Sequence, residues 1–217
     1  MLKITFTLLI TSLSTIAFAE TIPTTIQKFI PKNYEILSKA SGDLNADGQV
    51  DFAMIIQTKN IKIQNRKLLI LFKQDSQYQQ ILSKQIPNWT YRDDENCIND
   101  ALFDDGVSIK NNVLNITFDA MNSCSNWYGE SWTYRFKFNQ SQFKLIGFDY
   151  WFVYKTDGKN KTYSGNFLTQ KLKITQGNEF DENVHPKISW KALKPISPNT
   201  LEKITLKDSQ DFLKQMM

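Results

Sequence analysis

One histidine and two cysteines among 217 residues leave little material for the commoner catalytic and soft-metal centres. A zinc site takes three or four Cys, His or carboxylate ligands, and a thiol enzyme wants a histidine beside its cysteine. The single histidine, His185, precedes Pro186 in a proline-bearing polar stretch and is expected to be exposed. No G-x-S-x-G, H-E-x-x-H or Ser/Lys signature occurs. The charge excess is also small, +4 formally, and the lysines are scattered. A nucleic-acid binder would carry a basic stripe, and none is present. After the first 20 residues no segment approaches the 18 apolar residues of a membrane span. There is no repeat, low-complexity tract or long linker.

The N-terminus, by contrast, is informative. Lys3 is followed by an apolar stretch over residues 4–16 and by Ala17-Phe18-Ala19, a small-x-small cleavage signal. This pattern predicts a secretory signal peptide over 1–19, the apolar stretch being too short for a transmembrane anchor. With Lys3 gone the net charge falls by one, to +3. Residues 20–217 are expected to form a single β-rich domain, periplasmic or secreted. No cysteine lies near the cut, which argues against a lipid anchor. In an oxidising compartment the default reading of Cys97 and Cys124 is a disulfide rather than a metal-binding or catalytic thiol. It would close a loop of about 28 residues and add ~3–4 kcal/mol in the chain-entropy view.

Pro23-Thr24-Thr25 before Ile26, Phe29 and Ile30 predicts a short capped helix ended by Pro31. Beyond residue 50 the pattern is β. Phe52–Ile56 and Leu68–Phe72 are apolar at every position, as in central strands covered on both faces, and Tyr78–Ile86 completes a meander. Strands are expected at 106–110 and 112–119 around an Asn111-Asn112 turn. A further strand carries Trp132, Tyr134, Phe136 and Phe138 at period two, most simply one core face and alternatively a sugar platform. Asn139-Gln140-Ser141 turns the chain into a long strand from Phe143 to Tyr154, bent near Gly147. Another strand is expected over 166–175 after an Asp157-Gly158 turn, then irregular exposed chain around Pro186, Pro195 and Pro198, and a C-terminal helix capped by Asp208. The fold class is therefore mainly β, antiparallel meander sheets in a sandwich or partial propeller-like arrangement of about eight to ten strands, with a short helix at each end.

One stretch carries chemistry. In SGDLNADGQVDFAMIIQ, residues 41–57, Asp43, Asn45 and Asp47 alternate, Gly48 permits a sharp turn, Gln49 offers a backbone carbonyl and Asp51 closes the set. Oxygen ligands with three carboxylates suit Ca²⁺ rather than Zn²⁺. Three carboxylates so close repel one another unless a cation sits among them. The other reading is a solvated Asx-rich turn. Met54 at the twelfth position and a following strand separate the loop from an EF-hand. It resembles the calcium loops of FG-GAP/VCBS-type β-propeller repeats, matching at Gly42-Asp43-Leu44-Asn45, Asp47-Gly48 and Asp51, with Ala46 where glycine is usual. Only one copy is present, whereas a propeller needs four or more blades. Over most of its length the chain resembles uncharacterised secreted bacterial proteins with a single such loop. They share a lead-in (Pro31, Tyr34, Ile36, Leu37), the LLILF strand and the Trp132–Asp149 hairpin. The resemblance implies a structural Ca²⁺ and no assigned activity.

A second constellation lies around the cysteines. Asp104, Asp105, Trp127, Tyr128 and Glu130 are candidates for an acidic, aromatic-bearing binding surface; the alternative is a solvated loop face with Trp127 turned inward. The expectation is a non-enzymatic Ca²⁺-binding protein that binds another envelope protein, as an inhibitor or immunity protein does. A carbohydrate or cell-wall module using Trp127, Tyr128 and Trp132 is the alternative, and a hydrolase built on loop carboxylates a third. Neither nucleic acid nor a membrane span figures in any of them.

Overall fold

The computed structural model describes residues 23–60, 65–88, 90–94, 97–102, 106–120 and 127–217. The expected signal peptide at 1–19, Asp104, Asp105 and the expected pairing of Cys97 with Cys124 lie outside the described residues. A four-stranded antiparallel meander comes first, β1 (Tyr34–Gly42), β2 (Asp51–Thr58), β3 (Arg66–Gln74) and β4 (Gln77–Ile86). A small hairpin follows, β5 (Thr90–Asp94) and β6 (Cys97–Asp100). The second sheet is a seven-stranded meander in chain order: β7 (Val107–Lys110), β8 (Val113–Asp119), β9 (Tyr128–Asn139), β10 (Gln142–Tyr154), β11 (Lys159–Asn166), β12 (Lys171–Asn178) and β13 (Lys187–Ala192). Helices α1 (Thr24–Gln27) and α2 (Ser209–Met216) stand at the two ends.

The two sheets pack face to face. Ala53 and Ile55 of β2, Leu68, Ile70 and Phe72 of β3 and Leu82 of β4 share one buried cluster with Leu114, Ile116, Trp132, Tyr134 and Phe136 of the larger sheet. The Phe72 ring meets Phe138 edge-on at 4.8 Å between centroids. On the opposite face of the first sheet Phe52, Met54, Ile56, Leu69 and Leu71 lie under Ile26, Phe29 and Ile30. Both faces of β2 and β3 are thus covered, which is why these strands are apolar throughout. The sheets also touch along a seam between β1 and β7. There a Cβ at Gly42 would stand 2.6 Å from Cγ2 of Ile109, and the Val107 N–H donates to Ser38 Oγ at 3.1 Å. Asn111 and Asn112 both have positive φ, 53° and 60°, in the β7–β8 turn. The pairing of β9 with β10 shifts between Leu145 and Gly147, the bend expected near Gly147.

The structure departs from the sequence reading in four places. Strand 166–175 does not exist as one element. Asn166 ends β11, its side-chain oxygen accepts from the N–H groups of Leu168 and Thr169, and Gln170 turns at φ 53° into β12. The polar strands β1, β11 and β13 and the β5–β6 hairpin were not expected, so thirteen strands are described, not eight to ten. The proline-bearing chain is irregular and Pro186, Pro195 and Pro198 are exposed, as expected, but the segment after β13 also buries apolar side chains that were not expected. Leu193, Ile196, Leu201, Ile204 and Leu206 run beneath the larger sheet and lead to α2, whose Phe212 ring lies 4.7 Å from Tyr134 and 4.5 Å from Phe148. Finally, α1 is entered through Pro23 with no side-chain cap. Asp208 does cap α2, accepting from the Asp211 N–H at 2.8 Å.

Candidate functional site

The loop 43–50 joins β1 to β2 beyond their last cross-strand pair, Gly42 opposite Asp51. Its fold follows from short side chains competing for backbone amides. Asp43 takes three of them: Oδ1 accepts from Ala46 at 2.7 Å and Asp47 at 3.3 Å, and Oδ2 accepts from Gly48 at 3.0 Å. Asn45 Oδ1 accepts from the Asp47 N–H at 3.1 Å, and Asn45 Nδ2 donates to Asp47 Oδ2 at 2.9 Å. Asp47 Oδ1 accepts from the Gln49 N–H at 2.8 Å. The curl needs left-handed backbone at two positions, Ala46 (φ 64°) and Gly48 (φ 79°).

Asp51 differs from the others in being wholly buried. Its Oδ2 accepts from the Leu44 N–H at 2.8 Å and its Oδ1 from the Lys73 N–H of β3 at 2.9 Å. Leu44, pinned this way, is 1% exposed and belongs to the main core. Two further bonds hold the loop. Asn112 Nδ2, from the β7–β8 turn of the other sheet, donates to the Asp43 carbonyl at 2.7 Å. Tyr78 Oη, from β4, donates to the Val50 carbonyl at 3.2 Å. The loop is therefore a junction of both sheets, a role for Asn112 and Tyr78 that sequence spacing does not reveal.

The electrostatics are lopsided. Burial raises the Asp51 carboxyl above its usual range; the Leu44 and Lys73 amides oppose this, and the charges of Asp47 and Asp43 add to it. Asp47, at the surface, is lowered by the Gln49 amide and by Asn45. None of the three carboxylates has a cationic side-chain partner among the described residues. Among those residues no three His, Cys, Asp or Glu side chains stand as a metal-ligating group; the acids of this loop are turned onto amides. The donor set is all oxygen, its amide bonds leave further lone pairs on the same oxygens, and its buried charge lacks a counter-ion. On those grounds the residues fit a hard divalent cation.

The second constellation is brought together only in part. Trp127 is 74% exposed, not turned inward, and Tyr128 beside it is 38% exposed. Glu130 is not a surface acid. It continues the inward set of Trp132, Tyr134 and Phe136, is buried, and accepts from Ser209 Oγ of α2 at 2.8 Å. Trp132 is also lost to a sugar platform, being 1% exposed and stacked on Phe118. His185 is exposed in the β12–β13 loop, as expected.

Compared with known proteins, the chain matches no protein-family model, and no curated protein matches it significantly.

Proposed function

We propose that this chain is an exported, non-catalytic binding protein whose sandwich is tied by one structural Ca²⁺ in the loop 43–51, and whose partner is another envelope protein, in an inhibitor- or immunity-like role. The observation that carries the calcium reading is Asp51, a fully buried carboxylate with two acidic neighbours and no cationic partner among the described residues. Buried charges are paired or bind metal. Asp43, Asn45, Asp47, the Gln49 carbonyl and Asp51 would hold the ion, which supplies the missing positive charge. Because Asn112, Tyr78 and Lys73 also hold this loop, the ion would brace a junction of both sheets.

At free Ca²⁺ of 100 Kd the ion adds about 2.7 kcal/mol. For a chain of this size that raises the melting point by roughly 5–10 °C. The test is a melt of the mature protein in Ca²⁺, Mg²⁺ and EDTA, with Asp47→Ala, at an exposed position, as the variant. A rise specific to Ca²⁺ that the variant loses supports the site; identical melts in all three would refute it.

A glycan-binding reading has one observation in its favour. Trp127, Tyr128 and Tyr154 (47% exposed) sit at one end of β9–β10, Tyr128 directly opposite Tyr154. Retention on peptidoglycan, lost in Trp127→Ala, would favour it over a protein partner.

A further inference from the structure

The seven-stranded sheet ends in an edge unlike the others. At its other end β7 abuts β1, and the polar edge strand β4 buries Leu82 and Ile86. Every residue of β13 is exposed, Ile188 at 55% and Trp190 at 61%. Open edges template further strands, and proteins blunt them with short length, lysines or a covering element; β13 is six residues long with two lysines, and no described strand pairs with its outer side.

The chemistry of β13 alternates. Lys173 pairs with Trp190 and Thr175 with Ile188, so both apolar side chains share the sheet's outer face. Lys187, Ser189 and Lys191 stand on the other face, in line with Leu172 and Ile174. The Leu193 N–H donates to the Gln170 carbonyl at 3.0 Å. By the alternation of an antiparallel ladder, Lys187, Ser189 and Lys191 therefore bond to β12, while Ile188, Trp190 and Ala192 turn their backbone groups outward. β13 and its partner β12 carry charge of one sign, the nearest carboxylates in sequence being Glu179, Asp181 and Glu182 in the loop between them. No carboxylate occurs between Asn183 and Leu201, and Lys171 and Lys173 flank the strand on β12. A shallow hollow beside Trp190 is floored by Thr169, Gln170 and Lys171.

We propose that β13 is a docking edge for an extended segment of a partner protein in which acidic and apolar residues alternate. This deepens, and rests on, the reading that the protein acts by binding another protein. A strand added at this edge sets alternate side chains on the two faces. One set packs on Ile188, Trp190 and Ala192, and the other meets Lys187 and Lys191. A second copy paired antiparallel about Ser189 would put Lys187 against Lys191, and like charges across a ladder are unfavourable; pairing about Trp190 avoids that clash but offers Lys187 and Lys191 no acidic partner, which an acidic segment supplies.

The test titrates the mature protein, in Ca²⁺, against a fluorescent blocked peptide of about eight residues, enough to span the strand, alternating glutamate with valine. The control peptide alternates lysine with valine. The glutamate peptide is expected to bind at least about tenfold tighter than the control, a 1.4 kcal/mol difference. Ile188→Pro removes an outward N–H and leaves the β12 ladder whole, so it weakens the glutamate peptide about tenfold with little change in melting point. Lys187→Glu with Lys191→Glu reverses the preference, a result that misfolding cannot imitate. Equal binding of the two peptides, or no loss in a folded Ile188→Pro, overturns the proposal. So does a dimer of the free protein that Ile188→Pro dissociates, since a second copy would then own the edge. A calcium-dependent melt alongside failed peptide binding would sink the edge alone and leave the calcium reading standing.

Discussion

Removing the Asp100 side chain should be among the costliest single changes in this molecule. Arg66 opens β3 with its side chain 1% exposed. Its Nη1 donates to Asp100 Oδ1 at 2.7 Å, and its Nη2 pairs with Asp100 Oδ2 and donates to Gln57 Oε1 at 3.2 Å. Asp100 Oδ1 also accepts from the Leu102 N–H at 3.0 Å, which fixes the turn after β6. In Asp100→Ala the guanidinium stays buried with Gln57 as its remaining side-chain partner, while its Nε already has none among the described residues. Breaking a buried pair from one side costs about 3–5 kcal/mol. Asp100 is 20% exposed, so water reaches the vacated side and the low end, about 3 kcal/mol, applies. For a chain of this size that lowers the melting point by roughly 6–12 °C. Urea unfolding and calorimetry of the single variant and of Arg66→Met/Asp100→Ala test the reasoning. The double variant removes the stranded charge and should recover most of the loss, since apolar replacement of a buried pair is often neutral or better. A single variant within about 1 kcal/mol of wild type, or a double variant as weak as the single, would refute it.

Two further predictions concern the loop and the C-terminal strap. A Cβ at Gly48 meets nothing within 4 Å, so Gly48→Ala carries only the left-handed backbone cost, about 1 kcal/mol. Ala46→Gly, at the other left-handed position, should be neutral to about 1 kcal/mol stabilising; urea midpoints of the pair check both signs. Phe212 is fully buried against Tyr134 and Phe148, so Phe212→Ala should cost about 3–5 kcal/mol and expose residues 193–217 to limited proteolysis. Cleavage of that segment no faster than in wild type would contradict its role as a strap.

What was legible in the sequence is what burial writes into it. β2 and β3 are apolar on both faces because the larger sheet covers one and the α1 segment the other. β8, β9 and β10 alternate because only one of their faces is covered. β11 and β13 were not legible, since Lys159–Asn166 sends only Tyr163 onto the core and Lys187–Ala192 buries nothing, so both owe their conformation chiefly to ladder partners. The strap was missed because Leu193, Ile196, Leu201, Ile204 and Leu206 follow no period and stand among prolines. In the loop, spacing exposed Asp43, Asn45, Asp47 and Asp51 as a set. The Asn112 contact to Asp43 spans 69 positions and is set by how the two sheets meet along β1 and β7. Glu130 was within reach of the sequence. The period that buries Trp132, Tyr134 and Phe136 extends back to it, whereas its place beside the cysteine-bearing acidic loops points to the surface.

Isothermal titration of residues 20–217 with Ca²⁺ at neutral pH, beside Asp47→Ala, tests the central claim most directly. The account predicts one Ca²⁺ per chain in the wild type, with Mg²⁺ failing to displace it, and no binding in the variant. A wild-type titration without binding heat at several temperatures, together with melts that ignore EDTA, would reduce Asp43–Asp51 to a hydrogen-bonded turn and remove the calcium from the account.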